Sequence, residues 1–416
     1  MPELAGSQVR RSIEARVEEA EGLADAIGID VVARKAFRVR SPRAATLLGK
    51  GQVEEIAAIA KEQGARLLVV DAALTPIQQK NLEEETGTKA IDRTGLILEI
   101  FGERAATAEG RLQVELAHLD YQAGRLVRSW THLERQRGGF GFLGGPGETQ
   151  IEADRRLIRD RMARIRRELE QVKRTRTLHR DRRQRVPWPV IALVGYTNTG
   201  KSTLFNHLTG GTVFAEDLLF ATLDPTMREV RLPGFDKAIL SDTVGFVSDL
   251  PTQLVAAFRA TLEEVASADL LIHVRDMAHA DHDAQAEDVE EVLSSLGIAA
   301  GTGPPRLEAW NKLDLLSGDD RQALLGEASR RDDVVPISAL TGWGIDQLRD
   351  KAAEMLRSGA TLHQVRVPAG DGGRIAWLHA RGDVVDQQLD GDDIALSVRL
   401  SADNWAKFQA LEPSSA

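Results

Sequence analysis

Cysteine is absent from the 416 residues of the chain. This absence excludes disulfide bonds, thiol catalysis, zinc ribbons and cysteine-bound iron–sulfur clusters, and it is consistent with a reducing compartment. Long apolar runs are missing too: none approaches the roughly 20 residues that span a bilayer. The first residues, MPELAGSQVRRSIEARVEE, contain no apolar stretch of the signal-peptide type. We therefore expect a cytoplasmic protein without stable membrane insertion.

Positive charge is scarce overall and concentrated in one segment. The chain has 53 Lys and Arg against 63 Asp and Glu, a net charge of −10, which argues against a uniformly basic binder of nucleic acid. Residues 155–185 nevertheless contain 14 basic and four acidic side chains, a balance of +10, so the rest of the chain carries −20. An acidic body with one basic segment can orient docking on a polyanion rather than prevent it.

Residues 1–104 have the pattern of a small α/β domain. The apolar runs 29–33 and 66–72 are typical of strands, and 51–64 and 75–87 read as helices. The second helix has Thr75 as its N-cap, Pro76 at its first position and Gly87 at its end. Alternating strands and helices predict a parallel sheet.

Two helical segments with matching apolar seams follow. Both seams step by four and three residues, which favours pairing into an antiparallel hairpin arm over residues 105–185. The seams are Leu112, Leu116, Leu119, Ala123 and Leu126, and Ile158, Met162, Ile165, Leu169 and Val172. The alternative is an ordinary amphipathic helix whose charges face water.

The predicted arm ends in a glycine-rich tip, residues 138–147, in which six of ten residues are glycine. Its GxGxxG match does not predict a dinucleotide site, because no strand precedes it. Two interpretations stay open. The tip is either a flexible turn or an adaptable surface that brings backbone and aromatic rings to RNA, with flanking arginines on phosphates.

A second α/β domain, residues 186–358, contains nucleotide-binding motifs. GYTNTGKS (195–202) matches the P-loop pattern and lies between an apolar strand and a helix. Backbone N–H groups there would cradle the β-phosphate, Lys201 would neutralise β/γ oxygens, and the Ser202 hydroxyl would bind Mg²⁺. DTVG (242–245) ends the next core strand: Asp242 would hold Mg²⁺ through water, and the Gly245 N–H would bond the γ-phosphate.

Two further motifs, each after a predicted strand, select guanine. Asp314 of NKLD (311–314) would accept hydrogen bonds from N1–H and the 2-amino group, a pair that adenine cannot offer. Asn311 would reach the N7 edge, Lys312 would lie over the base, and the N–H groups of SAL (338–340) would approach O6. The strands of this domain are predicted at 190–195, 236–242, 269–276, 306–310 and 333–337, with a tight turn in 230–237. Residues 359–416 suggest a small α+β domain.

The first switch is expected in FATLDPT (220–226). Thr222 is the predicted second Mg²⁺ hydroxyl, with Thr226 as the alternative.

Phe246 follows Gly245 at the position where Ras-like enzymes place a water-orienting glutamine. We therefore expect slow intrinsic hydrolysis that a partner or another element accelerates. The predicted catalytic residues are Lys201, Thr222 and Gly245, and the predicted GTP contacts are Gly195, Tyr196, Thr197, Asn198, Thr199, Gly200, Lys201, Ser202, Thr203, Phe220, Ala221, Thr222, Leu223, Asp224, Asp242, Thr243, Val244, Gly245, Asn311, Lys312, Leu313, Asp314, Ser338, Ala339 and Leu340.

A cluster of histidine and aspartate lies between 273 and 283. It contains His273, Asp276, His279, Asp281, His282 and Asp283. The spacing matches no firm zinc pattern, so a solvated loop is the preferred interpretation and Zn²⁺ ligation the alternative.

Beyond the general motifs, the sequence resembles the HflX family of ribosome-associated GTPases. Its specific signatures are LLGKGQVEEI (47–56), IQQKNLE (77–83), IDRTGLILEIFGERAATAEGRLQVELAHLDY (91–121) and GGFGFLGGPGETQIEADRR (138–156). The resemblance covers about residues 20–360. It implies a P-loop GTPase domain with a parallel-sheet core, preceded by a small α/β domain and a helical-hairpin arm and followed by a small α+β domain. One departure concerns residues 1–12, which lack the apolar strand with which family members usually begin, so the first sheet is expected to lack an edge strand or the start to be late.

The resemblance further implies a GTPase, with Mg²⁺ as cofactor, that binds the large (50S) ribosomal subunit and separates stalled 70S ribosomes. Any membrane association would then be peripheral, through ribosomes. Contacts with 23S rRNA would fall on the tip and the basic helix: Arg135, Arg137, Gly138, Gly139, Phe140, Gly141, Phe142, Arg164, Arg167 and Arg174. Some members are reported to bind ATP through the amino-terminal domain, but residues 1–104 of this sequence contain no ATP motif. The competing functions are a ribosome-assembly GTPase, a GTP-responsive RNA-binding scaffold with little turnover, and a membrane-remodelling GTPase, whose lipid-inserting face is missing.

Overall fold

The computed structural model describes residues 1–4, 11–136, 146–183, 188–211, 220, 226–248, 265–298, 303–358, 360–401, 405 and 408–411. Within these residues, no helix combines the length and the apolar character needed to cross a membrane.

The amino-terminal part contains two pairs of parallel strands covered by helices. Strand β1 (Pro2–Leu4) pairs with β2 (Phe37–Val39), and β3 (Leu67–Val70) pairs with β4 (Lys89–Asp92). Four helices accompany them: α1 (Ile13–Asp25), α2 (Lys50–Gln63), α3 (Pro76–Thr86) and α4 (Arg93–Arg104). The predicted ends of α3 are confirmed, because the Thr75 hydroxyl accepts from the Gln78 N–H and Gly87 has a left-handed φ of 70°.

Two expectations for this part were wrong. An edge strand exists in the first residues, because three residues in register with Phe37–Val39 suffice to form β1, too short a run for an apolar pattern to reveal. Residues 29–33, by contrast, form no strand. Ile29 N–H closes the turn after α1 by donating to Ala24 O at 3.1 Å, and Val32 is 49% exposed, so the apolar run has no partner strand to cover it.

Two long helices, α5 (Ala108–Gln136) and α6 (Pro146–Arg183), form the arm. Arg161 Nε and Nη2 each lie 2.7 Å from a carboxylate oxygen of Glu115. Only nine residues join the helices, a reach of about 32 Å. A parallel pair with this contact would separate the joined ends by about 54 Å, so the helices are antiparallel as predicted.

The seam of α6 is the buried side of that helix. Met162 and Ile165 are buried, and Ile158, Leu169 and Val172 are half-buried. On α5 the described seam residues are half-buried, whereas Val114 and Ala117 are buried in the core formed with α4. The α5 helix therefore packs on two sides, against α6 and against the core that contains α4. The apolar seam in the sequence predicted only the contact with α6.

A six-stranded sheet follows, with strand order β10-β9-β8-β5-β7-β6. Its strands are β5 (Val190–Val194), β6 (Thr226–Leu232), β7 (Phe235–Asp242), β8 (Leu270–Asp276), β9 (Arg306–Asn311) and β10 (Val334–Pro336). All neighbours are parallel except β6 and β7, which the predicted turn at Pro233 and Gly234 joins antiparallel. The predicted strands of this sheet are thus confirmed. Helices α7 (Lys201–Thr209), α8 (His282–Ser295), α9 (Gly318–Ala328) and α10 (Ile345–Ser358) connect or cover them.

The carboxyl-terminal part is a three-stranded antiparallel sheet with one long helix. Strands β11 (Ala360–Pro368), β12 (Asp383–Asp390) and β13 (Asp393–Ser401) have the order β11-β13-β12, and α11 (Gly372–Arg381) packs on them. This is the predicted α+β arrangement. The segment SADNWAKFQAL (401–411), whose composition favours a helix, lies partly outside the described residues.

One apolar core joins the amino-terminal part to the six-stranded sheet. Leu96, Ile100 and Phe101 of α4 belong to the same buried cluster as Val194 and Phe246. The two α/β parts are therefore packed together at the strand ends that carry the nucleotide motifs.

Candidate functional site

The predicted nucleotide motifs meet at one edge of the six-stranded sheet. Strands β5, β7, β8 and β9 run parallel, so their carboxyl ends lie together. The P-loop follows β5, Asp242 ends β7, Asp276 ends β8 and Asn311 ends β9. Carboxyl ends of parallel strands are the usual ligand position in open α/β sheets.

The P-loop is shaped by contacts of its own backbone. Lys201 is buried at the start of α7, and its Nζ donates to Tyr196 O at 2.5 Å. Burial lowers the pKa of the Lys201 ammonium to about 8, although the Asp242 carboxylate opposes this. Gly200 has a φ of 90°, and a Cβ there would lie 2.4 Å from Asn311 Nδ2. Glycine therefore permits both the left-handed backbone and the close approach of β9.

The segment after β7 packs directly against this loop. Thr197 N–H donates to Phe246 O at 2.7 Å, and Phe246 N–H donates to Gly195 O at 3.1 Å. A Cβ on Gly245 would lie 2.9 Å from Thr197 Cα and 3.1 Å from Lys201 Nζ. A larger residue at 245 would push this segment and the P-loop apart.

Two oxygen groups are placed to hold a divalent cation. The Ser202 hydroxyl donates to Asp242 Oδ2 at 2.8 Å, and Asp242 is fully buried. Hydroxyl and carboxylate oxygens are the ligands that Mg²⁺ prefers. The donor set therefore fits the predicted magnesium site, while Thr222, the third predicted ligand, lies outside the described residues.

At the end of the site predicted to bind guanine, Asn311 links three segments. Its Nδ2 donates to Thr199 O at 2.7 Å, and its Oδ1 accepts from the Ala339 N–H at 2.8 Å. The Ala339 N–H thus bonds Asn311 rather than standing open for O6. Ser338 Oγ donates to Asp314 Oδ1 at 2.5 Å and fixes a carboxylate that is otherwise exposed.

The phosphate end is tied to the amino-terminal part by a buried polar cluster. The Tyr196 hydroxyl donates to Glu19 Oε2 at 2.5 Å and accepts from the Ser248 N–H at 2.8 Å. Arg11 Nη1 lies 2.8 Å from the same hydroxyl. Burial raises the pKa of the Tyr196 phenol, so the hydroxyl remains protonated and donates to Glu19.

Arg93, the first residue of α4, completes this interdomain cluster. It is paired with Glu19 and, through Nη1, with Asp71 Oδ1 at 2.5 Å. Its Nη2 also donates to Ser248 O at 3.0 Å. Although burial opposes ionisation, Arg93 and Arg11 hold the pKa of Glu19 below its usual value. No sequence motif contained Glu19 or Ser248, and Arg93 lay in the signature 91–121 without an assigned role, because their roles arise only from contacts between distant segments.

Two phenylalanines near the predicted switches enter the shared core. Phe220 packs edge-on against Phe101 of α4, with ring centroids 4.7 Å apart. Phe246 is 2% exposed and belongs to the same cluster. Its buried ring offers no polar group for an attacking water, as the sequence predicted.

Several predicted site residues lie outside the described part of the chain. They are Ala221, Thr222, Leu223 and Asp224 of the first switch, and Arg137, Gly138, Gly139, Phe140, Gly141 and Phe142 of the tip. Thr226, the alternative to Thr222, is the first residue of β6. Arg135 lies in α5 and Arg164, Arg167 and Arg174 in α6, where Arg164 and Arg167 are exposed.

The cluster of histidine and aspartate at 273–283 does not gather around one point. Among the residues described, no three His, Asp or Glu side chains are placed to share a metal ion. His273 is buried on β8, and burial lowers its pKa to about 4. The solvated-loop interpretation is therefore wrong for His273, which is a neutral core residue.

Four family models match the chain in order. They are the GTP-binding GTPase N-terminal region (residues 14–102), the GTP-binding GTPase middle region (104–183), the 50S ribosome-binding GTPase (190–312) and the HflX C-terminal domain (323–410). A GTPase HflX of Magnetococcus marinus is 48% identical over 94% of this chain and 89% of its own length. The chain belongs to the HflX family.

Other HflX proteins are similarly close. GTPase HflX of Escherichia coli is 41% identical over 96% of this chain and 92% of its own, and that of Caldanaerobacter subterraneus is 41% identical over 94% and 88%. As an HflX GTPase, the protein hydrolyses GTP, and the family match covers its P-loop and the β9 segment that ends at Asn311.

Proposed function

We propose that this HflX protein binds the 50S subunit, separates 70S ribosomes in its GTP-bound state and is reset by hydrolysis of GTP. Its central domain matches the model of 50S ribosome-binding GTPases. The observation that carries the proposal is the exposed face of α6, where the side chains of Arg156, Arg159, Arg164, Arg166 and Arg167 are exposed while Met162 and Ile165 are buried. Such a basic ridge on an acidic body suits rRNA phosphates.

The nucleotide roles proposed for the site follow its two ends. Lys201 and the backbone of 195–203 bind the phosphates, and Asn311, Asp314 and the loop 338–340 bind guanine. Ser202 and Asp242 hold Mg²⁺, which supplies charge neutralisation at the β- and γ-phosphates when bound. Gly245 lets its N–H approach the γ-phosphate, so this segment senses whether GTP or GDP is present.

Sedimentation of 70S ribosomes tests the proposal. We expect the protein with GTP or a non-hydrolysable analogue to shift ribosomes into 50S and 30S particles, and GDP to leave them intact. Splitting by the analogue would show that binding energy drives separation and that hydrolysis serves release. Intact 70S particles under all three conditions would favour a ribosome-assembly GTPase.

A double variant tests the basic ridge within the same assay. Arg164→Glu with Arg167→Glu should weaken 50S binding and make the slope of log affinity against log salt shallower by roughly one to two. Lys61→Glu with Arg330→Glu is the matched control, because both side chains are exposed and neither belongs to α6. Equal losses in the two double variants would assign the effect to net charge rather than to the arm.

The buried Phe246 favours a second candidate, a GTP-responsive RNA-binding scaffold with little turnover. Both candidates bind 50S subunits with GTP, but only the first is expected to hydrolyse GTP faster on them. Single-turnover hydrolysis with and without 50S subunits separates the two.

A further inference from the structure

Asp276, predicted from the sequence only as part of a solvated loop or a Zn²⁺ site, contacts the segment proposed to bind guanine. It ends β8 beside Asn311 of β9 in the strand register. Its Oδ2 lies 2.8 Å from Nζ of Lys312, the lysine of the NKLD segment. The two side chains are 13% and 24% exposed, so water screens this ion pair only partly.

The carboxylate of Asp276 is itself held in place. Its second oxygen accepts from the Ala278 N–H at 3.1 Å, which closes a turn of the Asx type. The next residue, Met277, donates its N–H to Asn311 O at 3.1 Å, so the two strand ends are tied together. Asp276 is therefore a fixed anion rather than a mobile surface group.

Lys312 needs such a partner more than an ordinary lysine. Its backbone is left-handed, with φ 67°, so the side chain leaves the loop in a direction set by this strained residue. The four-carbon stem is otherwise flexible.

We propose that Asp276 is a positioning residue for guanine nucleotides: it fixes the Lys312 ammonium so that the lysine stem lies across the base. This inference rests on the proposed role of 311–314 as the base site. Fixing the stem before binding raises affinity, because less side-chain freedom is lost when the nucleotide arrives. The effect acts equally on ground state and transition state, since the base does not react.

Asp276→Asn isolates the ion pair, because the asparagine oxygen can still accept from the Ala278 N–H. We expect the Kd for GDP and the KM for GTP each to rise by about tenfold with kcat unchanged. Asp283→Asn is the matched control, since Asp283 lies in the same segment but pairs with Arg275 at 2.5 Å and is 80% exposed. Affinity equal to or tighter than that of the parent protein in Asp276→Asn would overturn the inference.

A double-mutant cycle shows whether Asp276 acts through Lys312. Lys312→Met keeps an unbranched stem without the charge, so adding Asp276→Asn to it should cause no further loss of GDP affinity. Fully additive losses would mean that Asp276 acts elsewhere and would overturn the assignment.

Asp314→Asn separates this inference from the base-site proposal. If 311–314 binds the base, the variant should prefer xanthosine diphosphate, and adding Asp276→Asn should weaken xanthosine diphosphate binding by the same factor, because both purines present the same ring face. Failure of the switch in preference would contradict the base site itself. A successful switch with no effect of Asp276→Asn would contradict only the positioning role.

Discussion

At the guanine end of the site, the contacts of Asn311, Lys312 and Asp314 stay within the domain that carries the motifs, whereas at the phosphate end Tyr196, Phe220 and Ser248 contact the amino-terminal part. The end proposed to bind the base thus makes these contacts within its own domain. The phosphate end is supported from outside, by α1 and α4. Changes in the amino-terminal part should therefore affect the P-loop and switch segments while leaving the choice of base unchanged.

The largest expected effect concerns the interdomain cluster. Glu19→Gln removes the carboxylate that Arg11 and Arg93 share, and the side chains of these three residues are at most 8% exposed. Breaking a buried pair leaves an uncompensated charge, so the free energy of unfolding should fall by about 3 kcal/mol. Denaturant unfolding followed by fluorescence measures it.

Glu21→Gln on the same helix is the control for this variant. Glu21 pairs with an exposed Arg34, and such a pair contributes less than about 1 kcal/mol. Similar losses for Glu19→Gln and Glu21→Gln would show that the cluster does not support the phosphate end.

The next effect concerns the close approach of the two phosphate-facing segments. Gly245→Ala would place a Cβ 2.9 Å from Thr197 Cα, so the segments must separate and the γ-phosphate contact is lost. We expect GTP hydrolysis to fall about 100-fold, in the range for losing one preorganised donor. Gly326→Ala, which meets nothing within 4 Å, should leave the rate unchanged. A Gly245→Ala protein that hydrolyses GTP at the parent rate would show that hydrolysis does not need the close contact between residue 245 and Thr197.

A smaller effect is expected on the pH dependence of GDP affinity, which should come from Lys201 at the phosphate end. The Lys201 pKa of about 8 lies below its usual value because the ammonium is buried, and bound phosphates should raise it again. Binding of GDP above pH 8 then takes up a proton, so affinity should fall by up to about tenfold per pH unit. Calorimetry of GDP binding between pH 7 and 8.8 in buffers of different ionisation enthalpy detects this uptake. Binding without proton uptake near pH 8.5 would mean that Lys201 is already fully charged in the free protein.

The lowered pKa of Lys201 also makes the stability of the nucleotide-free protein depend on pH. Between pH 8 and the ordinary lysine pKa, the unfolded chain binds more protons at Lys201 than the folded protein. The contribution of Lys201 to the free energy of unfolding therefore rises with pH across that window.

The difference between the two ends also explains which residues the sequence could predict. Short motifs that follow strands contain Lys201, Asp242, Asn311 and Asp314. The sequence near each residue therefore predicts both its place at a strand end and its chemical role. Glu19 lies 177 residues from Tyr196 and 229 from Ser248, and no local pattern connects them. Strand β1 has only three residues, too few to show a periodicity, and residues 29–33 are apolar but have no partner strand.

We expect hydrolysis to depend on the ribosome, because the buried Phe246 occupies the position where Ras-like enzymes place a water-orienting glutamine. The most direct test is the rate of GTP hydrolysis by the purified protein, alone and with 50S subunits. We predict slow turnover alone and stimulation of at least about tenfold by 50S subunits, in line with a catalytic element supplied in trans. Equal rates with and without 50S subunits, or fast hydrolysis by the isolated protein, would contradict it.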